Sequence, residues 1–115
     1  MKYDLLIRNG TLIDPARGIH APLDVAFADG TVAEVGDSLP EAQAREVIDA
    51  GGRYVTPGLI DVHVHVFPGV SHFGIEPDPT CLARGATTVV DAGSAGADTF
   101  PGFRKYVIEV SQTRI

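Results

Sequence analysis

The sequence predicts an α/β fold in which a series of short strands precedes the first units of a parallel sheet. Its 115 residues include 13 Gly and 8 Pro, which implies many short elements joined by turns. The first half of the chain shows strand patterns almost throughout. The second half alternates strand, helix, strand and helix, which is the order typical of a parallel sheet with right-handed crossovers.

Short segments rich in Val, Ile and Leu predict six strands in the first half, over residues 3–9, 11–13, 25–27, 32–35, 46–49 and 53–56. Asp29 and Gly30 separate two of these strands. They predict a tight hairpin, because a type I′ turn requires positive φ at both central positions. Residues 40–45 are compatible with either a helical turn or a loop.

The pattern changes after Pro57 and Gly58. Residues 59–66 predict a strand, and residues 76–84 predict a short helix with prolines near its start and Gly85 after its end. Residues 86–91 are nearly all apolar or β-branched, as in a strand that is covered on both faces.

A second helix follows a glycine-rich loop, with Asp98 or Thr99 as its N-cap. Its apolar residues recur at helical spacing and predict one buried face: Phe103, Tyr106, Val107 and Val110. Residues 113–115 read as the start of another strand. Because an eight-stranded α/β barrel takes about 250 residues, we expect the chain to be the amino-terminal part of a longer protein. A complete small α+β domain is the alternative.

Composition and charge exclude several classes of function. The 9 Lys and Arg residues are outnumbered by 15 Asp and Glu residues, whereas nucleic-acid-binding proteins have a basic surface. No apolar segment approaches the roughly 18 residues of a membrane span, and the opening apolar stretch is too short for a signal peptide. Cys81 is the only cysteine, which excludes an internal disulfide and a zinc-thiolate cluster. We therefore expect a cytoplasmic protein that binds neither nucleic acid nor membrane.

Two histidines form the clearest candidate site. Asp61, His63 and His65 are spaced two residues apart, so in a strand their side chains lie on one face. Neutral imidazoles are good ligands for zinc, nickel, cobalt or iron. The spacing therefore suggests a divalent metal site. The alternative is that both histidines are hydrogen-bonded core or surface residues without a ligand.

Three segments carry a resemblance to a known family. Residues 55–65, with the sequence VTPGLIDVHVH, resemble the signature of the amidohydrolase superfamily and, within it, the dihydroorotase-related amidohydrolase/deacetylase group. Residues 5–15 (LLIRNGTLIDP) are similar to the opening strand pair of that group. Residues 86–93 (ATTVVDAG) are similar to its second barrel strand. The segments occur in family order, and the likeness covers nearly the whole chain.

The resemblance implies a domain organisation and a metal centre. Residues 1–56 would be the amino-terminal part of a small β-sandwich, and residues 57–115 the first part of a (β/α)8 TIM-type barrel. His63 and His65 would bind the more buried metal of a centre with one or two Zn²⁺ ions, other divalent metals being possible. The remaining ligands and the catalytic residues would come from later strands, so we expect the 115-residue chain alone to be inactive.

The resemblance also implies an activity. The full-length protein would be a homo-oligomeric, metal-dependent hydrolase that cleaves a small-molecule amide or ester, namely an N-acyl, O-acetyl or cyclic amide substrate. Metal-bound hydroxide would attack the carbonyl, because a metal lowers the pKa of bound water toward about 7. The alternative is a non-catalytic scaffold or assembly subunit of the same fold, without a complete metal site.

Other residues near the predicted site have less specific signals. Asp61 is expected to support a histidine or the barrel floor through hydrogen bonds rather than bind metal. Asp91 ends a predicted strand at the same rim and is either part of the site or a loop anchor. His72 lies in the loop over the site and either touches substrate or is solvated. Ser94, in the segment AGSAG, offers a rival interpretation as the nucleophile of a serine hydrolase. The predicted helix begins several residues later than that elbow requires, however.

Overall fold

A computed structural model describes all residues, Met1–Ile115, as a mixed α/β protein in which strands dominate. The chain divides into two compact units, Met1–Pro57 and Gly58–Ile115. None of its helices has the length and apolar character needed to cross a membrane.

The first unit contains seven strands: β1 (Tyr3–Arg8), β2 (Thr11–Asp14), β3 (Ile19–Pro22), β4 (Asp24–Ala28), β5 (Thr31–Gly36), β6 (Ala44–Asp49) and β7 (Tyr54–Val55). They form a four-stranded sheet in the order β5-β4-β1-β6 and a three-stranded sheet in the order β3-β2-β7. Strand β1 runs antiparallel to β4 and parallel to β6. Side chains at the start of β1 and from its neighbours form a buried core: Tyr3, Leu6, Ala26, Leu39 and Ala44.

The predicted hairpin of the first unit is confirmed. Strands β4 and β5 pair antiparallel around Asp29 (φ 52°) and Gly30 (φ 73°), the two positive φ values that the turn requires. Residues 40–45 contain a one-turn 3₁₀ helix, Glu41–Gln43, followed directly by β6. The sequence pattern missed β3, which pairs with β2, because its four residues include His20 and end in a proline.

The second unit follows the predicted order of strand, helix, strand and helix. Its elements are β8 (Leu59–Val64), α1 (Pro77–Thr80), a 3₁₀ turn (Leu82–Arg84), β9 (Ala86–Asp91), α2 (Phe100–Tyr106) and a second 3₁₀ turn (Ile108–Val110). Strands β8 and β9 are parallel. Arg114 extends the sheet beyond β9, since its carbonyl accepts the Val89 N–H at 2.8 Å and its N–H donates to the Thr87 carbonyl at 3.0 Å. The predicted further strand thus begins as an isolated parallel bridge.

The predicted apolar face of the second helix is only half right. Phe103 and Val107 are buried, but Tyr106 is 68% exposed and Val110 is 70% exposed. The reason is that α2 ends at Tyr106 and a 3₁₀ turn follows, so the α-helical period does not extend to Val110. The core of this unit joins side chains from both strands, the following loop and α2: Val64, Val66, Phe67, Cys81, Val89, Phe103 and Val107.

Candidate metal site

Two imidazole rings lie side by side at the carboxyl end of β8. His63 is on the strand and exposed, whereas His65 directly follows the last strand residue and is half-buried. The centroids of the two rings are 5.5 Å apart, and the ring planes are inclined by 76°. The i, i+2 spacing therefore brings the two side chains to one place, as the strand period predicts.

Strand β8 ends at Val64, two residues earlier than predicted. The backbone hydrogen bonds of the next two residues determine where His65 lies. Past Val64, the backbone leaves the ladder with β9. The His65 carbonyl accepts the N–H of Ile75 at 2.9 Å, and the Val66 N–H donates to the carboxylate of Asp91 at 2.8 Å. His65 therefore lies between the end of β8 and the loop of residues 66–75, whose far end bonds back to the His65 carbonyl.

Asp61 supports the site through the backbone. Its Oδ1 atom accepts the N–H of His63 at 3.0 Å, and the structure shows no hydrogen bond between this carboxylate and an imidazole ring. Asp61 therefore contacts the main chain of His63 and not its ring.

Asp91 is a loop anchor at the end of β9. Oδ2 accepts the Val66 N–H, and Oδ1 accepts the N–H groups of Gly93 at 3.0 Å and Ser94 at 2.6 Å. Partial burial raises the pKa of the Asp91 carboxyl, but the hydrogen bonds from Val66, Ser94 and Gly93 outweigh it and hold the pKa below its usual range. The carboxylate is thus charged at neutral pH, and it binds the backbone after β8 as well as the backbone after β9.

The loop after His65 carries two exposed rings. His72 packs edge-on against Phe73, with ring centroids 4.6 Å apart, and the Phe73 ring lies 6.5 Å from that of His65. Phe73 is 71% exposed and was missed by the sequence reasoning, although an apolar aromatic in a Pro/Gly-rich loop is a recognisable signal. Phe73 thus links the exposed His72 ring to the neighbourhood of His65.

Ser94 is the other residue in contact with the pair. Its Oγ lies 3.0 Å from Nδ1 of His65. The rival serine-hydrolase geometry is not formed, because α2 begins at Phe100 rather than at the serine. Sequence reasoning singled out Ser94 but did not predict its pairing with His65.

The imidazoles of His63 and His65 are suited to be two of the ligands of a divalent metal. Neutral imidazole nitrogens bind zinc and related ions, and the contact of His65 Nδ1 with Ser94 leaves Nε2 as the free nitrogen. The structure holds no cluster of three or more His, Cys, Asp or Glu side chains suited to a metal. A cleft of about 370 Å³ in the same unit is lined mainly by apolar side chains along β9 and α2 and does not include either histidine.

Comparisons with known proteins assign the family. The sequence profile described as the amidohydrolase family matches residues 46–102. A deacetylase of Agrobacterium fabrum is 46% identical over 87 residues, which cover 76% of this chain and 21% of the deacetylase. The crystal structure of a dihydroorotase matches with a TM-score of 0.82 and 35% identity, covering 96% of this chain and 29% of that one. This chain belongs to the amidohydrolase superfamily.

A further amidohydrolase structure comes from an enzyme solved with a metal. It is N-acyl-D-glutamate deacylase from Bordetella bronchiseptica, complexed with zinc and a phosphonate inhibitor. The match has a TM-score of 0.60 and 34% identity and covers 77% of this chain and 18% of that one. The amidohydrolase chain described here therefore spans between a fifth and a third of the deacetylase and dihydroorotase, at 21% and 29% of their lengths.

Proposed function

We propose that the full-length protein is a metal-dependent hydrolase of amide or ester bonds and that this chain supplies its first two metal ligands, His63 and His65. The observation that carries the proposal is the pairing of the two rings, 5.5 Å apart, at the carboxyl end of β8. A scaffold has no need of adjacent imidazoles, whereas histidines are common ligands of zinc centres. The zinc in the related N-acyl-D-glutamate deacylase supports the choice of cation.

The proposal includes the fold around the site. Strands β8 and β9 would be the first two strands of a (β/α)8 barrel, and residues 1–56 would be part of a small β-sandwich. The parallel pairing of β8 with β9 across an intervening helix supports the first statement, and the parallel bridge at Arg114 supports continuation of the same sheet. In such barrels the functional side chains lie at the carboxyl ends of strands, which is where His63 and His65 lie.

Each residue of the site has a distinct task under this proposal. His63 and His65 would hold one or two Zn²⁺ ions or another divalent metal. When bound, such a metal lowers the pKa of a coordinated water toward about 7 and polarises a substrate carbonyl. Asp61 fixes the backbone of His63, and Asp91 fixes the loop beside His65. The general acid and base would come from later parts of the full-length protein.

The substrate class follows from the relatives. Their names are deacetylase, dihydroorotase and N-acyl-D-glutamate deacylase. We therefore propose an N-acyl, O-acetyl or cyclic amide substrate for this protein. His72 and Phe73 are exposed on the loop above His65 and are available to contact it. A cytoplasmic location and a homo-oligomeric full-length protein stay predictions.

The test uses the full-length protein. Bound metal is measured by mass spectrometry, and hydrolysis is measured with three substrates: an N-acyl amino acid, an O-acetyl ester and a cyclic amide. Removing a residue that only hydrogen-bonds to a metal ligand lowers metal affinity or activity by about 10- to 100-fold. Removing a ligand itself should have a larger effect, so His63→Ala and His65→Ala should each lower metal affinity by at least about 100-fold. The matched control is His20→Ala, since His20 is exposed on β3 and packs against Tyr54.

The outcomes separate the enzyme from a scaffold. Metal in the wild-type protein, its loss in both histidine variants and its retention in His20→Ala support the proposal. A wild-type protein that is folded, carries no metal after incubation with Zn²⁺ and hydrolyses none of the three substrates contradicts it. That second result supports a non-catalytic member of the superfamily.

A further inference from the structure

The contact between Ser94 and His65 joins residues that are far apart in the chain. Ser94 Oγ and His65 Nδ1 lie 3.0 Å apart, and both side chains are half-buried. The two residues follow different strands, β8 and β9. Their contact therefore requires both loops to be in place.

The carboxylate of Asp91 holds both sides of this contact. Its Oδ1 accepts the N–H groups of Gly93 and Ser94, and its Oδ2 accepts the N–H of Val66, the residue next to His65. The turn after β9 passes through Gly93 at φ +98°, a conformation that other residues rarely adopt. One anchor thus fixes the backbone of Ser94 and the backbone beside His65.

The chemistry of imidazole gives this contact a consequence. In neutral histidine one ring nitrogen carries a proton and the other has a free lone pair, and the hydrogen bond at one nitrogen decides which is which. When a serine hydroxyl accepts a hydrogen bond from Nδ1–H, the histidine is in the tautomer that leaves the Nε2 lone pair free. We propose that Ser94 is the positioning residue of His65, holding its ring in the orientation and tautomer that bind a divalent cation through Nε2. This inference rests on the proposed function.

The competing role for Ser94 is that of a nucleophile with His65 as its base. That role requires the serine O–H to donate to Nδ1 and a further group to orient the ring from its other nitrogen. Within residues 1–115, Ser94 is the only hydrogen-bond partner of the His65 ring. In addition, α2 begins at Phe100, whereas a nucleophile elbow requires the helix to begin at the serine. The geometry therefore favours positioning, and the experiment below separates the two roles.

The experiment measures metal affinity directly in the full-length protein. Zn²⁺ affinity is determined by competition with a chromophoric chelator for the wild type, Ser94→Ala, Ser94→Thr and Ser111→Ala. The last variant is the matched control, because the Ser111 hydroxyl donates to the Val107 carbonyl at 2.6 Å and has no histidine partner. The visible absorption of the Co²⁺-substituted protein reports the ligand geometry, and circular dichroism confirms that each variant is folded.

A positioning role predicts a specific set of results. Ser94→Ala should lower Zn²⁺ affinity by about 10- to 100-fold, the usual effect of removing a partner of a metal-binding histidine, and should change the Co²⁺ spectrum. Ser94→Thr, which keeps the hydroxyl, should restore both properties. Ser111→Ala should match the wild type.

Other results overturn the inference. Unchanged Zn²⁺ affinity and an unchanged Co²⁺ spectrum in Ser94→Ala, in a protein whose wild type binds metal, refute the role of Ser94 and leave the proposed function intact. Unchanged metal affinity together with a loss of turnover that Ser94→Thr does not restore indicates the nucleophile instead. A wild-type protein that binds neither Zn²⁺ nor Co²⁺ refutes this inference, and it refutes the proposed function as well if it also hydrolyses none of the three substrates.

Discussion

Asp91 accepts the backbone N–H of Val66 at 2.8 Å, and this bond joins the ends of two parallel strands where their ladder stops. The bond replaces a backbone partner that β9 no longer supplies to β8, and Val66 is fully buried. The site of the paired histidines is therefore supported by a carboxylate that makes no hydrogen bond to either ring.

Asp91→Ala should destabilise the full-length protein. It removes the acceptor of three backbone N–H groups, and a buried donor without a partner costs about 1–3 kcal/mol, so we expect the free energy of unfolding to fall by about 2 kcal/mol. Urea unfolding followed by circular dichroism measures the change. Asp98→Ala is the control, since Asp98 is exposed in the following loop. Equal stabilities of the two variants would contradict the anchoring role.

Gly74 should not tolerate a side chain, whereas Gly102 should. A Cβ at Gly74 would overlap the backbone of the loop above the site, 2.7 Å from the carbonyl carbon of Phe67 and 2.9 Å from Cα of Pro68. A Cβ at Gly102, inside α2, would meet nothing within 4 Å. We expect Gly74→Ala to destabilise by about 1–3 kcal/mol. Gly102→Ala should stabilise by about 0.5–1 kcal/mol, because it lowers the backbone entropy of the unfolded chain.

Thermal and urea unfolding of both glycine variants measure these shifts, and hydrolysis assays show whether the Gly74 loop affects turnover. A Gly74→Ala protein as stable and active as Gly102→Ala would show that the loop rearranges freely.

Stability should fall in acid, partly through Asp78. Its carboxylate accepts the N–H of Gln112 at 3.0 Å and both the N–H and the hydroxyl of Thr113, at 2.8 and 2.7 Å. The bond from Gln112, followed by those from Thr113, holds the pKa of Asp78 below its ordinary value of 3.8. Because the folded pKa lies below the unfolded one, this stabilisation is present above about pH 4 and is lost as pH falls through the folded pKa.

The measurement is the urea midpoint of the full-length protein at several pH values from about 5 down to 3. Asp78→Asn should reduce the slope of stability against pH without abolishing it, since the pKa of Asp91 is also lowered. Asp98→Asn serves as the control, since Asp98 is exposed in the loop after β9. Identical slopes for the wild type and Asp78→Asn would refute the contribution of Asp78.

Local rules predict much of this fold. The Asp29-Gly30 hairpin follows from a turn that only a few residue types can form, and β9 follows from five successive apolar or β-branched residues before Asp91. The pairing of His63 with His65 follows from the two-residue period of a strand. The amidohydrolase superfamily was also predicted correctly from its motifs, and the profile and structural matches confirm it.

Features that depend on contacts between distant segments were not predicted. Tyr106 and Val110 leave the core because α2 ends after seven residues, and no local signal marks that end. Asp24 is a buried carboxylate that accepts the N–H groups of Asn9 and Leu39, but as an isolated aspartate it gives no sign of this role. The contact of Ser94 with His65 depends on the path of the turn after β9, which tertiary packing decides.

The exposed strand β8 leads to a prediction about residues 1–115 expressed alone. Leu59 is 58% exposed, Ile60 is 64% exposed and Val62 is 71% exposed, so both faces of this strand present apolar side chains. Such surfaces and unpaired strand edges promote association. We therefore expect the isolated chain to self-associate and to be inactive, whereas the full-length protein should keep a defined mass.

Light scattering after size-exclusion chromatography measures the mass at increasing concentration. Val62→Thr keeps the β-branched shape but replaces a methyl group with a hydroxyl, so it should reduce the association. A monomeric, metal-containing 115-residue chain that hydrolyses an amide would contradict the prediction, because it would show that two histidines and this short sheet suffice for the reaction.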